Sequence, residues 1–177
     1  MKGNNMLKEI ITTALIAMTP VTASAVEVDF LRAPYPNFYF NPTPSGEVFE
    51  IGNGSGWTQG GYIQNYFKKM DKHFQAGDEI RITAGVCQSA CTFFMLSNFV
   101  CVSRKTTFKF HGVTKHGFFK PKNADVYNEY VAQVYDNIGN GKLGDWFRTI
   151  VDETGPAKYK KVSGSDMIDK FGVKECQ

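Results

Sequence analysis

Ser89 and His111 are the two side chains in this sequence whose setting suits acyl-transfer chemistry. Ser89 sits in Gly85-Val86-Cys87-Gln88-Ser89-Ala90-Cys91, between a β-branched run from Ile80 to Thr83 and an apolar run that continues to Leu96. Strand, sharp turn, helix is the pattern this predicts, with Ser89 at the first helical turn. A hydroxyl there lies beside backbone N–H groups that have no intrahelical acceptor, at the positive end of a helix dipole. A nucleophilic serine needs such donors, because they stabilise the oxyanion formed when it attacks a carbonyl. The plainer reading makes Ser89 an N-cap, a common role for serine. His111 closes the predicted strand Thr106–Phe110 and precedes Gly112, so its ring can enter a cleft and take a proton. An ordinary loop histidine is the alternative, and His73 and His116 read that way.

These residues must be carried by an ordered set of elements. Glu47–Ile51 reads as a strand leading into the glycine-rich bend Gly52–Gly56, and Ile63, Phe67, Met70 and Phe74 then mark one face of a helix. Glycine at such a bend lets backbone approach a ligand closely. The bend is neither a Walker loop nor a dinucleotide fingerprint, so no cofactor is expected. Strands follow at Glu79–Thr83, Phe99–Ser103 and Thr106–Phe110. Helices are predicted at Asp125–Ile138 (through Val126, Tyr130, Val134 and Ile138), Leu143–Val151 and Ser165–Phe171. Repeated strand-helix-strand units predict an α/β fold with a mainly parallel sheet, in which ligands bind at the carboxyl ends of strands. The glycine bend, Ser89 and His111 all meet that edge.

The start of the chain reads as a secretory signal over residues 1–25. Lys2 and Lys8 precede an apolar stretch from Ile10 to Val21, and Ala23-Ser24-Ala25 forms a small-x-small cleavage site. Val26–Phe30 and Phe38–Phe40 are candidate short strands among prolines. The expectation is a single exported domain over 26–177, periplasmic or secreted, with no stable membrane insertion after cleavage. The formal charge of the whole chain is +3. Removing the leader lowers it slightly, too little to suggest nucleic acid. Lys68, Lys69 and Lys72 cluster on the polar face of the first helix, and Lys158, Lys160 and Lys161 form a second cluster.

Cys87, Cys91, Cys101 and Cys176 all lie in the exported part, where disulfides are permitted. A bridge from the serine turn to the strand at Cys101 is one expectation, and the pairing itself is open. Zinc bound by these cysteines and His111 is the rival, on a C-x3-C spacing that is not a strong zinc pattern. No metal site is expected.

The segment Gly85–Cys91, together with Val100-Cys101-Val102-Ser103 and Phe108-Lys109-Phe110-His111, resembles the Clp-protease/crotonase superfamily. The likeness is closest to its secreted bacterial members, which carry a G-x-C-x-S-A-C signature. It covers roughly residues 49–113, with an echo at 163–173. The resemblance implies a crotonase-like fold of β-β-α or β-α-β units, Ser89 as nucleophile and His111 as general base. It also implies an oxyanion hole from the N–H of Ala90 and the glycine loop at Gly56 or Trp57. That family completes its triad with an aspartate where Lys158 or Tyr159 stands here; Asp152, Glu153 and Asp166 are the nearby acids, and a backbone carbonyl is the other candidate to orient the imidazole. The family's usual glycine loop has two adjacent glycines, whereas this bend reads Asn-Gly-Ser-Gly-Trp. The implied function is an exported serine hydrolase, a peptidase acting on a peptide or protein, with homo-oligomers common in the family. The alternatives are a binding or assembly module that keeps the fold without turnover, and a cysteine-stapled envelope protein in which Ser89 only caps a helix.

Overall fold

The computed structural model describes residues 43–114, 122–154 and 158–177. The expected signal peptide over residues 1–25, the candidate strands before residue 43 and His116 lie outside the described residues.

The described chain is mixed α/β with two three-stranded sheets. Strand β1 (Val48–Ile51) leads through a glycine-rich loop into helix α1 (Ile63–Ala76), which returns to β2 (Glu79–Ile82). A short β3 (Val86–Gln88) runs directly into a 3₁₀ helix (Ser89–Leu96), followed by β4 (Val100–Val102) and β5 (Thr107–Phe110). Helices α2 (Ala124–Tyr135) and α3 (Lys142–Val151) precede β6 (Lys160–Ser163) and the short α4 (Gly164–Asp169). The first sheet, in the order β1-β2-β4, is wholly parallel. The second, β3-β5-β6, pairs β3 with β5 in parallel and β5 with β6 antiparallel.

Expected as one sheet, the strands form two because both central passes of the chain bend. β2 continues past Ala84 and Gly85 into β3, and β4 continues past Ser103–Thr106 into β5. The ladders are one residue out of step: Ile80 faces Val100 in the first, but Val86 faces Thr107 in the second. A one-residue step reverses which face each side chain takes, so a continuous sheet would put one set of apolar residues on the wrong side. The corner is tied by Ser103 N–H on the Ile82 carbonyl and Thr107 N–H on the Gly85 carbonyl, each at 2.9 Å.

Strand alternation behaves as period two requires. Ile80 and Ile82 are buried, while Glu79 and Arg81 pair outside at 2.9 Å. In α1 Met70 and Phe74 of the expected face are buried together with Tyr66, while Ile63 and Phe67 pack half-buried against the core. Gly77, at φ 76°, ends the helix by returning its N–H to Phe74. Helix α2 differs from expectation. Val126 is 58 % exposed, and the helix buries Ala124, Asn128, Val131, Ala132, Val134 and Tyr135 instead. The apolar stripe is rotated because a polar residue, Asn128, belongs to the buried face.

The disulfides pair Cys87 with Cys91 and Cys101 with Cys176. The expected bridge between the serine turn and the strand at Cys101 is therefore absent. Cys87 and Cys91 are the two ends of one tight turn, with Cα atoms 5.4 Å apart, and so close on each other. No cysteine is free to serve as a zinc ligand. The Cys101–Cys176 bridge spans 75 residues and holds the C-terminal segment beside β4, where Val102 bridges to Glu175. On a loop-entropy account a link of that span stabilises by about 4 kcal/mol. Among the described residues no helix is long and apolar enough to cross a membrane.

Candidate active site

Ser89 is the first residue of the 3₁₀ helix and has φ 53°, in the left-handed region that L residues avoid. It does not cap the helix. Gln88 holds the N-cap position without a side-chain cap bond, and the Ser89 hydroxyl goes to His111 instead. Several constraints hold the backbone in this conformation. The Cys87–Cys91 bridge closes over it, and the Thr92 hydroxyl donates to the Ser89 carbonyl at 2.6 Å. With its one proton so placed, Thr92 accepts from the Tyr135 hydroxyl, also at 2.6 Å. Burial raises the Tyr135 phenol above its ordinary range and keeps it a donor. The Thr92 bond back to residue 89 spans three residues, as a 3₁₀ turn does; the helix here is 3₁₀ rather than α, and seven of its eight residues are buried.

His111 extends from the end of β5, and its Nε2 lies 2.6 Å from Ser89 Oγ. Its Nδ1 lies 2.6 Å from the carbonyl oxygen of Gly112. A carbonyl can only accept, so Nδ1 carries the proton and Nε2 presents its lone pair to the serine hydroxyl. That is the tautomer a general base requires. Burial pushes the imidazole below its ordinary value, and the bond to the Gly112 carbonyl opposes this in part. The ring also meets Tyr159 edge to face at 5.0 Å, while Gln88 Nε2 donates to the Tyr159 hydroxyl at 3.1 Å.

None of the three acids singled out from the sequence bonds to His111. Glu153 pairs with Lys160 at 2.6 Å, Asp166 pairs with Lys170 at 2.9 Å, and Asp152 closes the end of α3. An aromatic ring, Tyr159, packs on the imidazole, and a peptide carbonyl orients it.

The glycine that approaches Ser89 is Gly60. A Cβ added at Gly60 would stand 2.7 Å from Ser89 Cβ and 3.0 Å from Oγ, so only glycine fits. At Gly56 a Cβ would meet nothing within 4 Å, and the Trp57 N–H donates to Ser55 Oγ at 3.2 Å. The pair Gly60-Gly61, just before α1, is the one brought to the serine. It is held by the Thr58 carbonyl, which accepts from Gln88 N–H at 3.0 Å, and by the Tyr66 hydroxyl, which donates to the Gln59 carbonyl. Ala90 follows Ser89 directly, and its N–H is among the first of the helix.

A cleft of about 650 Å³ runs away from Gly60 and Gly61 along α1. Trp57 and Tyr66 form an edge-to-face pair at 5.1 Å on its wall, and Lys68, Lys69 and Lys72 border it. Lys69 Nζ lies 4.8 Å from the Phe49 ring centre. None of the three lysines makes an ion pair among the described residues. No known protein family, curated relative or solved structure matches this chain.

Proposed function

We propose that this protein is an exported serine hydrolase, a peptidase, on a fold related to the Clp-protease/crotonase superfamily. The observation that carries the reading is the 2.6 Å contact between Ser89 Oγ and the acceptor nitrogen of His111, at a serine whose backbone is held at φ 53°. Non-glycine residues held at positive φ concentrate at functional sites. The all-parallel β1-β2-β4 sheet and the glycine pair beside Ser89 support the fold relation. Two disulfides support an oxidising compartment.

In the proposed reaction His111 Nε2 takes the hydroxyl proton as Ser89 Oγ attacks an acyl carbonyl. The N–H of Ala90 and an N–H of the Gly60-Gly61 pair stabilise the oxyanion. Collapse expels the leaving amine with the proton from His111, and water then releases the acyl group by the same steps. The cleft beside Gly60 would receive the flanking residues of the substrate. Lys68 and Lys72 stand four apart on α1, a like-charge spacing that is mildly destabilising when unpaired. An acidic peptide segment would relieve it.

Fluorophosphonate labelling of the purified protein tests the reading. Wild type is expected to label at one serine, with labelling lost in Ser89→Ala and in His111→Ala while both stay folded. A well-folded wild type that does not label would favour the non-catalytic binding module.

A further inference from the structure

We infer that Asn128 stands in for the missing triad acid, acting on His111 through the Gly112–Val113 peptide; this rests on the hydrolase reading above. Asn128 lies on the buried face of α2 and is 5 % exposed. Its Oδ1 accepts from the Val113 N–H at 2.7 Å. That N–H and the Gly112 carbonyl belong to one peptide unit, and no peptide bond in the described chain is cis. In a trans peptide the C=O and N–H point in opposite directions. Anchoring the N–H on Asn128 therefore aims the carbonyl at His111 Nδ1, 2.6 Å away.

The result is a line of three hydrogen bonds: Asn128 Oδ1 to Val113 N–H, Gly112 C=O to His111 Nδ1–H, and His111 Nε2 to Ser89 O–H. Each bond polarises the next, so an acceptor at one end strengthens the imidazole as a base at the other. A neutral amide achieves orientation without placing a buried charge beside the ring. The neighbouring peptide is fixed too. Gly112 N–H donates to Thr154 Oγ1 at 3.0 Å, and Thr154 passes its own proton to the Val151 carbonyl. A Cβ at Gly112 would stand 3.3 Å from Asn128 Oδ1 and 3.1 Å from Val151, so the fit around this peptide is tight.

One helix then serves both halves of the pair. Asn128 and Tyr135 are seven residues apart, two turns along one face of α2. Tyr135 reaches the Ser89 carbonyl through Thr92, and Asn128 reaches His111 through the peptide. Asn128 is a positioning residue, because it touches neither nucleophile nor substrate.

The test compares wild type, Asn128→Ala and Asn128→Asp by fluorophosphonate labelling across pH and by NMR titration of the His111 ring. Tyr159 is the titratable group in ring contact with His111, and Glu153, just after α3, is paired with Lys160 at the start of β6. Asn128→Ala is expected to slow labelling roughly tenfold or more. Asn128→Asp keeps the acceptor and adds a charge. It should restore labelling and move the His111 titration upward by about one unit. Folded variants with wild-type labelling rates and an unmoved His111 titration would overturn the inference. If Asn128→Ala does not fold, the Asp variant decides alone: an upward shift supports the relay and an unshifted ring overturns it. A wild type that fails to label sinks the hydrolase reading, while the NMR shift still decides the relay.

Discussion

Two regions of this molecule hold a serine and a histidine in one hydrogen-bonded cluster, and they are wired in opposite ways. At the turn after α1, Ser45 Oγ donates to Asp78 Oδ1 at 2.7 Å and His73 Nδ1 meets Asp78 Oδ2 at 2.8 Å. All three residue types of a catalytic triad are present. The acid stands in the middle, however, so no imidazole faces the hydroxyl. His73 stacks flat on Phe49 at 4.0 Å, and its Nε2 is buried without a partner. At the other region no acid is bonded to the ring, yet the order is right: acceptor, imidazole, hydroxyl. The lesson is that proton transfer depends on connectivity, and that composition alone would have chosen the wrong cluster.

The largest expected difference between the two regions is in labelling. Ser89→Ala and His111→Ala should abolish it, whereas Ser45→Ala and His73→Ala should leave it intact and cost only stability. Labelling that survives in the first pair, or fails in a folded member of the second, would break the contrast. Gly60→Ala comes next. Its Cβ would press on Ser89 Cβ, which cannot rotate away, and no residue of the Ser45 cluster is near. Labelling should fall about 10²-fold, as for a misplacement of an ångström or so, and the thermal midpoint should drop as the loop and Ser89 are forced apart. Wild-type labelling would remove Gly60 from the site.

The two regions should also separate along the pH axis. His111 is held below its ordinary 6.5, so the neutral base persists under mildly acidic conditions, and labelling should decline only as pH falls through that lowered value. The unfolded chain binds a proton there first, so the same group withdraws stability as pH falls below about 6.5. Asp78 is also held down, by its bonds to His73 and Ser45. Its stabilisation is complete above the ordinary 3.8 and is lost as pH drops through the lower folded value. A labelling profile that rises toward acid would contradict the assignment of His111 as base. The smallest effect is electrostatic. Replacing Lys68 and Lys72 by glutamate should weaken binding of an acidic peptide to the Ser89→Ala protein several-fold at low salt, an effect that added salt removes. Equal binding by both charge forms would take the cleft out of recognition.

Much of this was legible in the sequence. Apolar periodicity located α1, α3 and the strands β1, β2, β4 and β5 to within a residue or two, because buried faces enforce spacing. Ser89 and His111 stood out for the same reason, as polar residues at the ends of apolar runs. β3 and β6 were not legible, since strands of three and four residues leave almost no pattern. Gly60-Gly61 was overlooked beside a bend richer in glycine, and only the folded chain shows which loop approaches the serine. A carbonyl that orients a histidine has no side chain and hence no signature. Asn128 was passed over because a period search treats a polar residue as solvent-facing, and here it belongs to the core.

The left-handed backbone at Ser89 has a consequence for how this position fares under substitution. Glycine would occupy φ 53° without penalty, whereas any side chain there costs on the order of 1 kcal/mol. Selection for a sturdier fold alone would drift position 89 toward glycine and discard the hydroxyl. On the hydrolase reading, a serine kept where the chain would be more at ease without it is a standing trade of robustness for reactivity.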